Sequence, residues 1–196
     1  MPAERGVAVD ASTVHRWVRK FGPEIRKRAQ ARHRSWRGLQ WHVDETCVRV
    51  GGRWRCLWRA VDQFGQRIDL RVTARRDAKA ARAFLRQSRD TVRCYHPLTI
   101  VTDKAHSYAK VIGKINGRRG PENASRHVDR KYLNNRIESD HAALKQRLRP
   151  MRGFQTLAGA KAALAGIETF RTIRKGQFEN CETGVINEIA FIDKLF

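Results

Sequence analysis

The 196-residue chain has few acids, although it is rich in charge. Its 19 Asp and Glu residues stand against 41 Lys and Arg residues, which gives a formal net charge of +22. A chain this basic suits a polyanionic partner, so the composition favours nucleic acid. A structural protein of the ribosomal type and a binder of membrane surfaces stay open as alternatives.

Cysteines and long apolar runs are also scarce. The cysteines at positions 47, 56, 94 and 181 form neither a CxxC pair nor the spacing of a zinc finger. This pattern predicts reduced thiols in an intracellular protein. No apolar run approaches the roughly 18 residues that a membrane span needs, and no signal peptide opens the chain. We therefore expect a soluble protein of one compact domain, or of one domain with a small appendage.

The stretch from Tyr132 to Phe154 has the clearest helical pattern in the chain. At about 100° per residue, four aliphatic side chains form one stripe: Leu133, Ile137, Leu144 and Leu148. Four polar side chains follow the edge of that face: Asn134, Glu138, His141 and Lys145. Three charged residues are predicted to point the other way: Arg136, Asp140 and Arg147. Pro150 is expected to end the helix, because it has no N–H and restricts the residue before it.

The first 38 residues form the most basic region, with ten Lys or Arg residues against three acids. They predict a short helix with Ser12 or Thr13 as its N-cap and a stop at Gly22-Pro23. Its apolar face would consist of Val14, Trp17, Val18 and Phe21. Four residues fall off that face: His15, Arg16, Arg19 and Lys20. A recognition helix of a partial helix-turn-helix and an ordinary amphipathic helix fit this pattern equally well.

From Leu39 onwards the apolar residues alternate with polar ones. Three antiparallel strands are predicted, near 39–44, 54–60 and 68–72, and a helix over 78–88 follows. The order continues with a buried strand over 98–103, a helix over 105–115 and a short strand near 126–128. The Glu138 helix, a helix over 157–175 and a tail helix near 185–196 complete it. This order predicts an α/β fold with a mixed sheet. Four tryptophans are interpreted mainly as core residues, with base stacking left open for one of them: Trp36, Trp41, Trp54 and Trp58.

Two aspartates end predicted strands, Asp44 the first strand and Asp103 the buried one. Because side chains at such strand ends gather at one edge of an α/β sheet, we expect Asp44, Asp103 and Glu138 to meet there. Three crowded carboxylates repel one another unless hard cations such as Mg²⁺ or Mn²⁺ neutralise them. Two ions about 4 Å apart would suit an in-line phosphoryl displacement. The alternative is three unrelated surface acids.

Three segments resemble the DDE transposases of insertion sequence family six: HVDET at 42–46, VTDKAHSY at 101–108 and YLNNRIESDHAALKQRLRPMRGF at 132–154. The interval of 35 positions from Asp103 to Glu138 is similar to the spacing in that family. The helix LAGAKAALAGIETFRTIRKGQ and VDASTVHRWV near the start are similar too, so the resemblance covers nearly the whole chain.

The resemblance implies a ribonuclease-H-like mixed sheet flanked by helices, with two divalent ions held by Asp44, Asp103 and Glu138. It implies domains at 1–38 (partial helix-turn-helix), 39–178 (catalytic) and 179–196 (tail). It further implies cleavage of DNA at insertion-sequence ends, strand transfer into target DNA, a homodimer or higher oligomer, and a bacterial cytoplasmic, nucleoid-associated location.

Within this family pattern, Lys145 matches a basic position expected to touch DNA at the transposon end. Asn134, Asn135 and His141 match supporting positions around the glutamate. Seven cations are expected to bind DNA phosphates: Arg16, Arg19, Lys20, Lys145, Arg147, Arg149 and Arg152. His15 and Arg16 are candidates for base contacts.

Some residues are left out of the predicted chemistry. Tyr95, Tyr108 and Tyr132 are interpreted as core or groove residues, because the mechanism needs no covalent intermediate. His42 is expected on the solvent side of its strand.

The chain starts later than most members of the family it resembles, so an N-terminal truncation is expected. Two alternatives to an active transposase stay open. One is a ribonuclease-H-like nuclease without strand transfer, and the other is a catalytically inactive remnant that only binds DNA.

Overall fold

The computed structural model of the chain describes residues 8–30, 32, 38–92, 96–103, 106–118, 120–129 and 135–196. Its six α-helices are α1 (Ala11–Gln30), α2 (Ala78–Val92), α3 (His106–Asn116), α4 (Asn135–Leu148), α5 (Leu157–Arg174) and α6 (Val185–Asp193). Its strands are β1 (Gln40–Val50), β2 (Arg53–Asp62), β3 (Arg67–Thr73), β4 (Thr99–Thr102) and β5 (Arg126–Asp129). The predicted order of strands and helices is therefore confirmed.

β1 is the central strand of a five-stranded sheet with the order β3-β2-β1-β4-β5. β1, β2 and β3 pair antiparallel, whereas β4 and β5 continue the sheet in parallel. The last register pair between β1 and β4 is Val43 with Thr102. Asp44 is the next residue of β1 and Asp103 directly follows β4, so the parallel pairing brings the two aspartates close together. β1 continues to Val50, so the prediction that the first strand ends at Asp44 is wrong.

One face of the sheet carries the main hydrophobic core, which it forms with α2 and α3. Trp41 on β1 and Trp58 on β2 both belong to this core and are fully buried. The ring centroid of Trp58 lies 6.2 Å from that of Phe84 on α2 and 5.9 Å from that of Tyr108 on α3. Full burial of a side chain of this kind contributes roughly 2–3 kcal/mol, so this layer fixes α2 and α3 to the sheet.

α4 packs against β1 through the stripe predicted from the sequence. Ile137 and Leu144 are fully buried, and the helix ends at Leu148 before a 3₁₀ turn that contains Pro150. Leu133 lies outside the described residues. Asp140 was expected to point away from this face, and that expectation is wrong, because its carboxylate pairs with the buried guanidinium of Arg59 on β2.

By its internal contacts the chain forms two units. The sheet unit is Ser35–Phe154, and the helical unit combines Met1–Arg34 with Gln155–Phe196. α1, α5 and α6 belong to the helical unit. The domain limits predicted from the sequence, at 1–38, 39–178 and 179–196, stay a prediction. Of the helices described, none is long and apolar enough to cross a membrane.

α1 runs through Gly22-Pro23, so the predicted stop at this dipeptide is wrong. A Cβ on Gly22 would lie only 2.5 Å from the Cα of Gly166 on α5, so Gly22 allows the close approach of two helices instead of ending one. The packed stripe of α1 is Val18, Gly22, Ile25 and Ala29. Of the predicted apolar face only Val18 belongs to it; three members are between 39% and 46% exposed: Val14, Trp17 and Phe21.

Asp10, rather than Ser12 or Thr13, caps the first turn of α1. Its Oδ1 accepts hydrogen bonds from the backbone N–H groups of Ser12 at 2.6 Å and Thr13 at 3.0 Å. The hydrogen bonds from Ser12 and Thr13 lower the pKa of Asp10 to about 2. The residues that would form the start of a helix-turn-helix precede position 8 and lie outside the described part, so that unit stays a prediction.

Candidate active site

Asp44 and Asp103 form the centre of an acidic cluster in the sheet unit. Oxygens of Asp44, Glu45 and Asp103 all lie within 4.8 Å of one another. Oδ1 of Asp103 is buried and has no hydrogen-bond partner among the described residues. A buried carboxylate oxygen without a donor is costly, and a neighbouring second carboxylate adds repulsion. The cluster therefore has the chemistry of a cation site.

Glu45 lies beside this pair but has protein partners of its own. Its Oε2 accepts a hydrogen bond from the Tyr108 hydroxyl, and its Oε1 contacts the guanidinium of Arg76. The pKa of Glu45 is raised above its ordinary value, because the effect of burial is larger than the opposing effects of the Tyr108 hydrogen bond and the Arg76 charge. Sequence reasoning missed this acid. A signal was present, because Glu45 continues the buried alternation of Trp41 and Val43.

Arg76 connects the two parts of the acidic cluster. Its Nη2 lies 3.6 Å from Oδ2 of Asp103 and also contacts Glu45, while 55% of its side chain is exposed. Burial alone would lower the pKa of Arg76, but the charges of Glu45 and Asp103 raise it above its ordinary value. Burial and the nearby charge of Glu45 likewise raise the pKa of Tyr108 well above its usual range. Tyr108 is fully buried, which confirms the prediction that it is a core residue.

Glu138 lies in the first turn of α4 with an exposed side chain and is not a member of the three-carboxylate cluster. One turn further along α4, Nδ1 of His141 lies 3.3 Å from Oδ2 of Asp44. The structure thus brings Asp44 and Asp103 together and puts Glu138 on the helix that contacts Asp44. Asn134 lies outside the described residues, and the side chain of Asn135 is not described.

A buried ion pair fixes α4 behind Asp44. Arg59 is the register partner of Asp44 on β2, is 1% exposed, and pairs with Asp140 on α4. Sequence reasoning missed Arg59 because it falls between the apolar residues Trp58 and Ala60. It also placed His42 on the solvent side, which is wrong, since His42 is buried under the same face.

Three of the predicted DNA-binding cations lie at the end of α4, where they line a cleft of about 650 Å³ that reaches Glu45. The three are Lys145, Arg149 and Arg152. Trp54 lines the same cleft and is 69% exposed, so its interpretation as a core residue is wrong. Trp36 lies outside the described part, as do Tyr95 and Tyr132. Contacts of these cations with DNA stay a prediction.

Of the other predicted DNA-binding residues, Arg147 lies exposed on α4. The rest lie on α1 in the helical unit. Arg16, Arg19 and Lys20 are exposed and line a second cleft, of about 440 Å³, with residues at the start of α5. His15 is half-buried. Their roles in phosphate or base contacts stay predictions.

Solved structures with a similar fold are retroviral integrases. The catalytic core domain of HTLV-2 integrase, in complex with magnesium, covers 76% of this chain and 96% of its own length at a TM-score of 0.52 and 15% identity. The simian T-cell lymphotropic virus intasome in complex with the PP2A regulatory subunit B56 gamma covers 73% of this chain and 52% of that chain at a TM-score of 0.51 and 18% identity. The fold class is therefore that of an integrase catalytic core, which is ribonuclease-H-like.

Relatives identify the family within this class. A family model described as a DDE domain matches residues 38–177. A Staphylococcus aureus transposase for the insertion sequence-like element IS431mec is 33% identical over 172 residues, covering 88% of this chain and 74% of the relative. The S. aureus transposase of element IS257 in transposon Tn4003 is 33% identical over 171 residues, covering 87% and 73%. The chain belongs to the DDE transposases of insertion sequence family six.

Membership in this family confirms the predicted transposase function. It also supports an enzyme of the nuclease and transposase class. The comparisons do not favour the alternative of an inactive remnant that only binds DNA.

Proposed function

We propose that this transposase cuts DNA at the ends of an insertion sequence and joins the freed end to target DNA, in a reaction that depends on divalent ions. The pairing of Asp44 with Asp103 carries the proposal, because Oδ1 of Asp103 is buried without a hydrogen-bond donor among the described residues. Phosphodiester cleavage requires charge neutralisation at the phosphate, which this pair alone cannot supply.

The residues proposed to hold the ions are Asp44, Asp103 and Glu138. All three offer carboxylate oxygens, the ligands that Mg²⁺ and Mn²⁺ prefer. When bound, two such ions polarise the phosphate and lower the pKa of an attacking water or hydroxyl. Glu45 belongs to the same acidic cluster, but we leave it out of the proposed set because Tyr108 donates a hydrogen bond to one of its oxygens and Arg76 contacts the other.

The protein's own residues prepare this site. His141 contacts Asp44 and restricts the orientation of its carboxylate. The ion pair of Arg59 with Asp140 holds α4, and hence Glu138, at the sheet. Arg76 offsets negative charge between Glu45 and Asp103, which lowers the repulsion within the acidic cluster before DNA arrives.

DNA is the proposed partner, and two copies or more of the chain are proposed to act together. The net charge of +22 supports a polyanionic substrate, and the exposed cations of α1 and of the end of α4 supply phosphate contacts. Joining two DNA ends requires that both be held at once, which favours a homodimer or higher oligomer. Since the relatives are bacterial and the substrate is DNA, we place the protein at the nucleoid.

The test is cleavage and joining of labelled insertion-sequence ends with and without Mg²⁺. The parent chain should nick at the end only with the metal, and Glu138→Gln should lose nicking. Glu45→Gln is the matched control, since it removes the same charge from the neighbouring acid and should lower activity by no more than about tenfold, the mild end of the range for residues around a ligand set. An equal loss of nicking in Glu138→Gln and Glu45→Gln would contradict the assignment of Glu138 as an ion ligand. An absence of nicking in both the parent and Glu45→Gln would contradict the proposed cleavage.

A further inference from the structure

The cleft at the end of α4 has walls that are fixed by backbone pairing. The N–H of Phe154 donates to the carbonyl of Arg49 at 2.8 Å, and the N–H of Gly51 donates to the carbonyl of Phe154 at 2.7 Å. Gly153, between Arg152 and Phe154, has φ +107°, and a Cβ there would lie 2.9 Å from the Arg49 carbonyl oxygen. Only glycine lets this segment lie against β1, so the cleft is already formed in the free protein.

Trp54 gives this cleft an aromatic surface. It lies just after the β1–β2 turn as the register partner of Arg49. Its side chain is 69% exposed, whereas Trp41 and Trp58 on the same sheet are fully buried. Among the described residues, neither a ring contact nor a hydrogen bond is recorded for its indole. An indole left open in water beside cations is a stacking surface for a nucleic-acid base.

Four cations line the cleft together with the indole, and none of them has a carboxylate partner within the described part of the chain. They are Arg49, Lys145, Arg149 and Arg152. Cations without carboxylate partners are ready to bind phosphates. Glu45 also lines the cleft, so the cleft reaches the acidic cluster.

From these contacts we infer that the cleft binds one unstacked nucleotide of the DNA strand next to the phosphate that is cut. Its base stacks on Trp54, and its phosphates contact Arg49 and the cations at the end of α4. A volume of about 650 Å³ suits one small ligand, and the stacked bases of a duplex offer no face to an indole. This inference rests on the proposed cleavage function and adds a separate subsite to it.

Binding of a thymidine hexanucleotide, compared with a blunt duplex, tests the subsite in the absence of divalent ions. Trp54→Ala should weaken hexanucleotide binding about tenfold and leave duplex binding within about twofold, because only an unpaired base can stack. Trp54→Phe should restore most of the affinity. Phe64→Ala is the matched control, since Phe64 is also exposed (61%) on a turn of the sheet unit but does not line the cleft. An equal loss for Phe64→Ala, or no loss for Trp54→Ala, would overturn the inference.

Cleavage of insertion-sequence ends locates the nucleotide. An abasic site is moved along the end DNA one position at a time, and the nicking rates of the parent and Trp54→Ala are compared. The two rates should become equal only when the abasic site lies at one position beside the cut. A difference that persists at every position would count against the subsite. The two proposals fail separately: a parent that nicks end DNA but binds the hexanucleotide without Trp54 overturns the subsite alone. A parent that never nicks, yet needs Trp54 for the hexanucleotide, overturns the cleavage function.

Discussion

Asp44 and Glu45 are neighbours on β1, yet the two faces of the sheet give their carboxylates different surroundings. On the α4 face, Asp44 meets His141 and lies close to Asp103, whose Oδ1 has no donor among the described residues. On the α2–α3 face, Glu45 is buried and bound by Tyr108 and Arg76. Adjacent acids of one motif therefore differ in their contacts because a strand sends successive side chains to opposite faces.

The two faces also differ in what holds them together. The α2–α3 face is a packed aromatic and aliphatic core. The α4 face combines an apolar stripe with the ion pair of Arg59 and Asp140 and the contact of His141 with Asp44. Polar contacts are directional, so they position α4, the helix that carries Glu138, more narrowly than apolar packing alone.

The largest expected effect is the loss of DNA nicking when an acid of the α4 face is changed. Asp103→Asn should lower DNA nicking by about a thousandfold or more, since ligands of catalytic ions contribute several kcal/mol to the transition state. Binding to end DNA should stay within about twofold. Gel-based nicking and fluorescence anisotropy measure the two quantities. Comparable nicking in Asp103→Asn and the parent would contradict the proposal that Asp103 holds a catalytic ion.

A second variant breaks the buried ion pair between Arg59 and Asp140 on the α4 face. Asp140→Asn removes a charged partner of the buried Arg59 and should lower the free energy of unfolding by about 3 kcal/mol, as expected for breaking a buried ion pair. Urea unfolding followed by circular dichroism measures the loss. Asp90→Asn, an exposed acid on α2, is the control and should change stability by less than about 0.5 kcal/mol.

A third variant tests whether His141 positions Asp44. His141→Gln should reduce both Mn²⁺ affinity and nicking by about 10- to 100-fold, the range for residues that orient a metal ligand. Electron paramagnetic resonance of free Mn²⁺ gives the affinity independently of activity. Raising the Mn²⁺ concentration should rescue part of the nicking. Unchanged Mn²⁺ affinity together with reduced nicking would assign His141 a different role.

The smallest expected effect lies on the α2–α3 face. Tyr108→Phe removes the hydrogen bond to Glu45 and should lower the free energy of unfolding by about 1–2 kcal/mol. Nicking should fall by less than about threefold, because Tyr108 supports an acid outside the proposed ligand set. Urea unfolding and the nicking assay check both statements. A loss of nicking comparable to that of Asp103→Asn would show that Glu45 belongs with the ligands after all.

The parts of this fold that follow from local pattern were predicted correctly from the sequence. Period-two alternation predicted the meander, and a short apolar run predicted β4 between β1 and β5. The predicted strand ends led us to expect that Asp44, Asp103 and Glu138 would meet. The two aspartates do meet, although Asp44 lies inside β1, and the place of Glu138 in the site stays a prediction. Helical spacing predicted the burial of Ile137 and Leu144.

The features that sequence reasoning missed depend on distant partners. Asp140 looks like a solvated helix residue until Arg59, 81 positions earlier, is brought beneath it. Gly22-Pro23 reads locally as a helix stop, but packing against Gly166 carries α1 through it. Trp54 fits the alternation of β2, and only its place next to the turn leaves it exposed. Tertiary contacts override local propensity in each case.

The close approach of Gly22 to Gly166 has a consequence for the order in which the two units fold during synthesis. The sheet unit, Ser35–Phe154, is continuous in sequence, whereas the helical unit needs both ends of the chain. At about 5–20 residues per second, the ribosome finishes the sheet unit seconds before all of α5 has emerged. We therefore expect α1 to wait for its partner on the nascent chain, while the sheet unit with Asp44, Asp103 and α4 has already assembled.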